Sequence, residues 1–190
     1  MANVYDEVKK SVTVLQKGGI ILYPTDTIWG IGCDATDVHA VQKIIRLKLR
    51  SPEKSFVVLV SSISMLERYV KDIPAIAYDL IDLTERPLTI VFSKPQYLPN
   101  EILASDGSIA VRVVRHPFCQ KLIDSIKKPI ISTSANLANE PSPPYFSAID
   151  DTIKLGVDYI VDIDRDVIEP RQVSIIMKIE SNGKFEFLRK

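Results

Sequence analysis

Histidine and cysteine are scarce in this chain, with two of each among 190 residues. Cys33 and Cys119 are too few for a disulfide framework and lack the paired spacing of a zinc site, which points to a reducing compartment. No H-E-x-x-H, G-x-S-x-G or G-x-x-x-x-G-K-[ST] match occurs, so the usual metalloprotease, serine-hydrolase and P-loop readings fail. Net charge is lacking too: 24 basic side chains balance 24 acidic ones, leaving no global positive field to gather polyanions. Long apolar runs are missing. No segment approaches the roughly 18 residues of a membrane span, and the start carries no signal-peptide core. A cytoplasmic protein that does not enter membranes is expected.

What is present is a core-forming composition, 46% apolar and 25% charged, of a size that fits a single domain over residues 1–190. Short β-rich runs at 20–23, 56–60, 88–92, 109–114, 129–132 and 159–161 read as strands. Helical spacing predicts helices over 38–48, behind Thr36 or Asp37 as N-cap, and over 65–70, 75–83, 118–126 and 146–155. Residues 24–32 read as turn-like, and 95–106 as loop. Asn182-Gly183 predicts a hairpin joining 172–180 to 184–188. The alternation is that of an α/β fold with a mixed sheet.

Several groups carry possible chemistry, each beside a plainer reading. Asp162, Asp164 and Asp166 mimic the start of a calcium loop, but Val167 and Val173 replace its Gly and bidentate Glu, so an acidic solvated turn is the better account. His39 reads as the polar side of a helix, and His116 as a solvated or capping residue before Pro117. Lys43, Arg46, Lys48, Arg50 and Lys54 gather around a helix C-terminus, where basic residues are favourable in any case. Their entry into a strand would hold them at a sheet edge, able to clamp a polyphosphate. Arg112, within the apolar run 109–114, needs an anion if buried: either a ligand or an internal Asp or Glu. By alternation it shares a face with Ser108, Ala110 and Val114. Ser132-Thr133-Ser134-Ala135-Asn136 follows a strand, where α/β sheets favour ligands, although such residues also cap turns. Tyr23 to Gly32 adds hydroxyls, a carboxylate and a lone G-x-G, with Trp29 as a core-filling candidate.

Together these segments resemble the YrdC-like family of threonylcarbamoyl-adenylate synthases over most of the chain. Gly18-Gly19 through Gly32 is similar to G-G-x-x-x-x-P-T-[DE]-T-x-x-G-[LI]-G, and Lys48-Leu49-Arg50 through Lys54 to the K-x-R motif. Pro87-Leu88-Thr89 matches the P-L-T strand. Ser108 to Arg112 with His116-Pro117 resembles S-x-A-V-R…H-P, and Ser134-Ala135-Asn136 with Pro141-Ser142-Pro143 resembles S-A-N…P-S-P. There are departures: Leu59 stands where the family often has histidine, Ala138-Asn139 replaces S-G, and Ser174-Ile175-Ile176-Met177-Lys178 replaces S-T-V-[VI]-D.

The resemblance implies the short, single-domain YrdC-like fold: a twisted mixed parallel/antiparallel sheet flanked by helices, with an open concave cleft. It implies a nucleotidyltransferase that joins L-threonine, bicarbonate or CO2, and ATP into threonylcarbamoyl-AMP and pyrophosphate for tRNA modification. Magnesium would accompany ATP, and tRNA, double-stranded RNA and a downstream tRNA threonylcarbamoyl-transferase are candidate partners. Thr27, Arg112, Ser134 and Ser174 would line the threonine side; Lys48, Arg50, Lys54, Ser108, Asn136, Ser142 and Arg189 would face ATP. Lys48, Arg50 and Arg112 would carry the catalysis. The alternative is a paralogous nucleotide- or RNA-binding protein without synthase activity.

Overall fold

The computed structural model describes residues 3–49, 56–169, 172–180 and 182–190. Its strands are β1 (Ile21–Tyr23), β2 (Gly30–Gly32), β3 (Val57–Val60), β4 (Leu88–Phe92), β5 (Ile109–Val113), β6 (Ile130–Ser134), β7 (Tyr159–Ile160), β8 (Ile175–Ile179) and β9 (Phe185–Arg189). They form one mixed sheet in the order β7-β1-β2-β6-β3-β5-β4-β8-β9. The β1–β7, β3–β5 and β4–β8 pairs are parallel, and the others antiparallel. The mixed sheet expected from the sequence is therefore present. β3 lies at its centre, however, so the basic cluster leads into an internal strand and not a sheet edge.

The helices are α1 (Val4–Gln16), α2 (Val38–Lys48), α3 (Ile63–Tyr69), α4 (Ala75–Leu83), α5 (Pro117–Ile126) and α6 (Asp151–Gly156). Asp37 is the N-cap of α2, its Oδ1 accepting from the N–H groups of His39 at 2.9 Å and Ala40 at 3.2 Å. That helix ends where Leu49 turns left-handed, φ 48°.

Alternation along the strands divides the interior in two. Val58, Val60, Ile90, Phe92, Val111 and Ile131 meet apolar residues of α2, α3, α4 and α6, including Ile44, Leu66, Ala77 and Ile153. On the opposite face, Ile21, Tyr23, Leu59, Val114 and Ile130 pack against Val8 and Leu15 of α1 and Phe118, Leu122 and Ile123 of α5. Each such fully buried aliphatic side chain contributes about 1.5–3 kcal/mol. Among the described residues, α1 and α5 cover only part of this second face. The expected concave cleft opens over residues of β3, β5, β6, β8 and β9, namely Val57, Arg112, Ser132, Ser134, Ile176 and Arg189.

Three elements differ from the sequence reading. α1 precedes the first element read from the pattern, and β2 occupies part of the turn-like stretch. The helix expected over 146–155 is divided into a short 3₁₀ turn, Phe146–Ala148, and α6. A second 3₁₀ turn, Asn100–Ile102, lies within the 95–106 loop.

Candidate active site

The β1–β2 connection is built by its own hydroxyls. Thr25, fully buried, accepts from the Thr27 N–H at 3.0 Å and donates to the Ile28 carbonyl at 2.8 Å. The resulting turn presents Thr27 Oγ1 to Arg112, whose Nη2 donates to it at 3.2 Å. Beyond the turn, β2 runs so close to its neighbours that side chains do not fit. A Cβ on Gly32 would lie 2.4 Å from the Ile131 carbonyl oxygen and 2.6 Å from Tyr23 Cε1, and one on Gly30 would lie 2.9 Å from Ser132 Oγ. The G-x-G pair thus serves strand packing instead of flexibility.

Arg112 is 4% exposed. In the parallel β3–β5 ladder it lies opposite Leu59, which is fully buried, so the residue at the position often held by histidine gives Arg112 an apolar neighbour. Its internal partner is Asp26, with Oδ1 at 3.2 Å from Nη2, while its buried Nε has no partner among the described residues. Both readings of Arg112 left open by the sequence therefore find support: a carboxylate neighbour exists, and donor capacity remains.

A cleft of about 230 Å³ opens over this face, lined by Thr27, Arg112, Ser132, Ser134, Ser174 and Arg189 among others. Ser134 comes from β6, where it is paired with Gly30. Ser174 Oγ accepts from Thr89 Oγ1 at 2.9 Å, and Arg189 donates to the Ser174 carbonyl at 3.0 Å and to its Oγ at 3.1 Å. The β8–β9 register explains how Arg189 arrives there. Met177 is opposite Phe187 but Ile176 is opposite Arg189, so Leu188 is an extra residue in a bulge. Simple alternation would give Arg189 the same face as Phe187; the bulge turns it toward Ile176 and the cleft.

Burial, and then the nearby charge of Arg112, holds the Arg189 guanidinium below its ordinary pKa. No described carboxylate pairs with Arg189. Two guanidiniums sharing one hydroxyl-rich cleft, with Asp26 the nearby acid, give it donors and charge suited to an anion.

Other candidates fall around this centre. Ser142 and Trp29 line the cleft, Trp29 also stacking against Phe146 with centroids 4.8 Å apart. Lys48, 3% exposed, folds back from the end of α2, its Nζ donating to the carbonyl oxygens of Ser134 and Asn136, the latter at 2.6 Å. It thereby fixes the loop after β6. Asn136 donates to the Leu137 and Glu140 carbonyls at 2.8 and 2.7 Å, and its Oδ1 has no partner among the described residues. Ser108 is outside the cleft lining; its N–H and Oγ bind Asp106, which Lys178 contacts at 2.8 Å. Arg50 and Lys54 lie outside the described residues. Val173 and Ile176 form an apolar wall that the sequence reading did not single out.

The remaining polar groups are engaged elsewhere. His39 is exposed on α2. His116 is not in open solvent: Nε2 lies 3.3 Å from Asp164 Oδ2, and although it occupies the α5 N-cap its side chain makes no capping bond. Asp162 contacts Arg165 at 3.2 Å. Among the described residues no three His, Cys, Asp or Glu side chains form a group able to hold a metal. A resident magnesium is not matched by this donor set. Among them, too, no helix is long and apolar enough to cross a membrane.

The Sua5/YciO/YrdC family model, described as telomere recombination, matches residues 13–190. The chain belongs to this family. A threonylcarbamoyl-AMP synthase of Xanthomonas axonopodis pv. citri is 33% identical over 160 residues, covering 82% of this chain and 85% of that protein. One from Pseudomonas aeruginosa is 37% identical over 130 residues, covering 68% and 70%. Sua5 from P. abyssi complexed with L-threonine superimposes with TM-score 0.83 at 25% identity, over 94% of this chain and 52% of the longer Sua5 chain. E. coli YciO, at 22% identity, shares the fold with TM-score 0.85 over 100% of this chain and 91% of its own.

Proposed function

We propose that this chain is an L-threonylcarbamoyladenylate synthase, a single-domain cytoplasmic nucleotidyltransferase that condenses L-threonine, bicarbonate or CO2, and ATP into threonylcarbamoyl-AMP and pyrophosphate. The observation that carries the reading is the convergence of Arg112 and Arg189 with Thr27, Ser134 and Ser174 in one cleft. Family relatives named threonylcarbamoyl-AMP synthase and a Sua5 chain complexed with L-threonine support it.

In this reading the threonine carboxylate binds beside Arg112, with Thr27, Ser134 and Ser174 orienting the rest of the amino acid. Its amine takes up CO2, or bicarbonate with loss of water, to give the carbamate. A carbamate oxygen then attacks the ATP α-phosphorus, the bond to the β-phosphate oxygen breaks, and pyrophosphate leaves. Arg189, Arg50 and Lys54 neutralise the phosphates, with Asn136 and Ser142 on the nucleotide side; Lys48 acts by holding the Ser134–Asn136 loop, and Ser108, bound to Asp106 outside the cleft lining, supports β5 from behind. No side-chain nucleophile is needed; positioning and charge compensation lower the barrier. Magnesium enters as the counter-ion of substrate ATP, carried on its phosphates. The product would pass to a transferase acting on tRNA.

The test is pyrophosphate release by purified protein given Mg-ATP and bicarbonate, with and without threonine. Threonine-dependent release, abolished in Lys48→Ala and Arg112→Ala, is expected. Threonine-independent hydrolysis alone, or salt-sensitive RNA binding without turnover, would instead identify the paralogous type.

A further inference from the structure

Asp26 has so far appeared only as a neighbour of Arg112. It does not line the cleft; it lies behind the wall, bordering a narrow crevice with Thr84, Arg86 and Arg115. One of its carboxylate oxygens, Oδ1, is buried and forms an ion pair with Arg112 Nη2 at 3.2 Å, without a hydrogen bond among the described residues; the other, Oδ2, accepts from the backbone N–H of Arg115 at 3.1 Å. Arg115 is itself anchored, its Nη2 donating to the Ile81 carbonyl at 2.6 Å. Asp26 is therefore fixed to the chain just past the end of β5, while touching the guanidinium that β5 projects into the cleft. Thr27, the next residue, holds the same Nη2 from the cleft side.

We propose that Asp26 is the positioning residue for Arg112: its charge, beside the Thr27 hydrogen bond, restrains the Nη2 corner of the guanidinium from behind, so that the part of Arg112 lining the cleft meets the incoming anion in one orientation. A guanidinium restrained at one corner samples fewer orientations than a free one, and that part of the ordering is done before the ligand arrives. The contact also tempers the charge in the cleft, because Asp26 offsets one of the two guanidiniums. The inference rests on the cleft being the anion site described under Proposed function.

Asp26→Asn keeps the shape and removes the charge. In threonine-dependent pyrophosphate release, kcat should fall by about tenfold or more with a smaller change in the threonine KM, because misorientation harms the transition state more than the ground state. Asp26→Glu, which returns the charge, should recover part of that loss; because Asp26→Asn also removes the counter-charge of a buried guanidinium and lowers stability, kcat is compared well below each variant's thermal midpoint, where the loss should persist. Unchanged kcat, or a loss that simply follows lowered stability, would overturn the proposal.

A binding cycle with inorganic pyrophosphate keeps this question separate from the reaction. Calorimetry should show Asp26→Asn altering pyrophosphate affinity severalfold when Arg112 is present, and leaving it unchanged in an Arg112→Met background. Equal effects in both backgrounds would refute positioning through Arg112. Wild-type protein that binds pyrophosphate but shows no threonine-dependent release would refute the proposed reaction while leaving the cycle to decide Asp26. Wild-type protein that fails to bind pyrophosphate would overturn both.

Discussion

Arg189 Nη2 reaches Ser174 Oγ across 3.1 Å, tying the edge strand β9 to the residue just ahead of β8. The guanidinium is thereby held over the cleft with its charge uncompensated by any described acid. Arg189→Ala should raise the ATP KM by about thirtyfold, the equivalent of about 2 kcal/mol for a charge-assisted contact, with little change in threonine affinity. Steady-state kinetics with each substrate varied separately would check this.

Arg112→Lys keeps a positive charge near Asp26 but loses the planar fork. Turnover should fall by about 10²–10³-fold while the protein remains folded. Arg112→Ala should in addition lower stability by about 3–5 kcal/mol, since it strands the Asp26 carboxylate. Chemical denaturation of the two variants side by side separates the effects.

Glu7 on α1 is 1% exposed, yet it accepts from Tyr159 Oη at 2.6 Å, the Asp162 N–H at 2.7 Å and Lys10 Nζ at 2.8 Å. Burial pushes its pKa up, but these three donors together outweigh burial and hold it below the ordinary value of 4.5. The same contact, after burial, helps to push the Tyr159 phenol up to about 12. Because the folded-state pKa of Glu7 is the lower one, its stabilisation is present above the ordinary value and is lost as pH falls through the folded value. Glu7→Gln should therefore flatten the decline of stability below about pH 4.5, and Glu7→Ala should cost about 3 kcal/mol at neutral pH by stranding the Tyr159 and Asp162 donors. Urea midpoints across that acid range provide the measurement.

Gly32→Ala should prevent stable folding, because the added carbon would meet the Ile131 carbonyl oxygen at 2.4 Å. Gly107→Ala is the contrasting case. Its φ of +77° disfavours a side chain but nothing lies within 4 Å, so a loss of about 1–2 kcal/mol with retained activity is expected. Soluble yield and thermal melting distinguish the pair.

Much of the strand and helix alternation is legible because buried residues recur at the proper period, as in Val41, Ile44 and the run 57–60. α1 is less visible: Val4, Val8, Val12 and Leu15 do mark one helical face, but buried Glu7 and Ser11 interrupt it. β2 is obscured by the glycines that close packing demands. In the cleft, Arg112 is conspicuous as a charge among apolar strand residues, and the hydroxyl string that ends β6 marks its other wall. The part played by Asp26 depends on the β1–β2 turn meeting β5, and that of Arg189 on one bulged residue, Leu188. Neither follows from local spacing.

The Thr89–Ser174 hydroxyl contact joins positions 85 residues apart and forms only once β8 docks beside β4. Closing so long a loop has an entropic cost that must be met before the contact contributes anything. During refolding, ligand competence should consequently lag behind the recovery of most secondary structure. A chain caught before that docking would already show most of its secondary structure by circular dichroism while its cleft was still unformed.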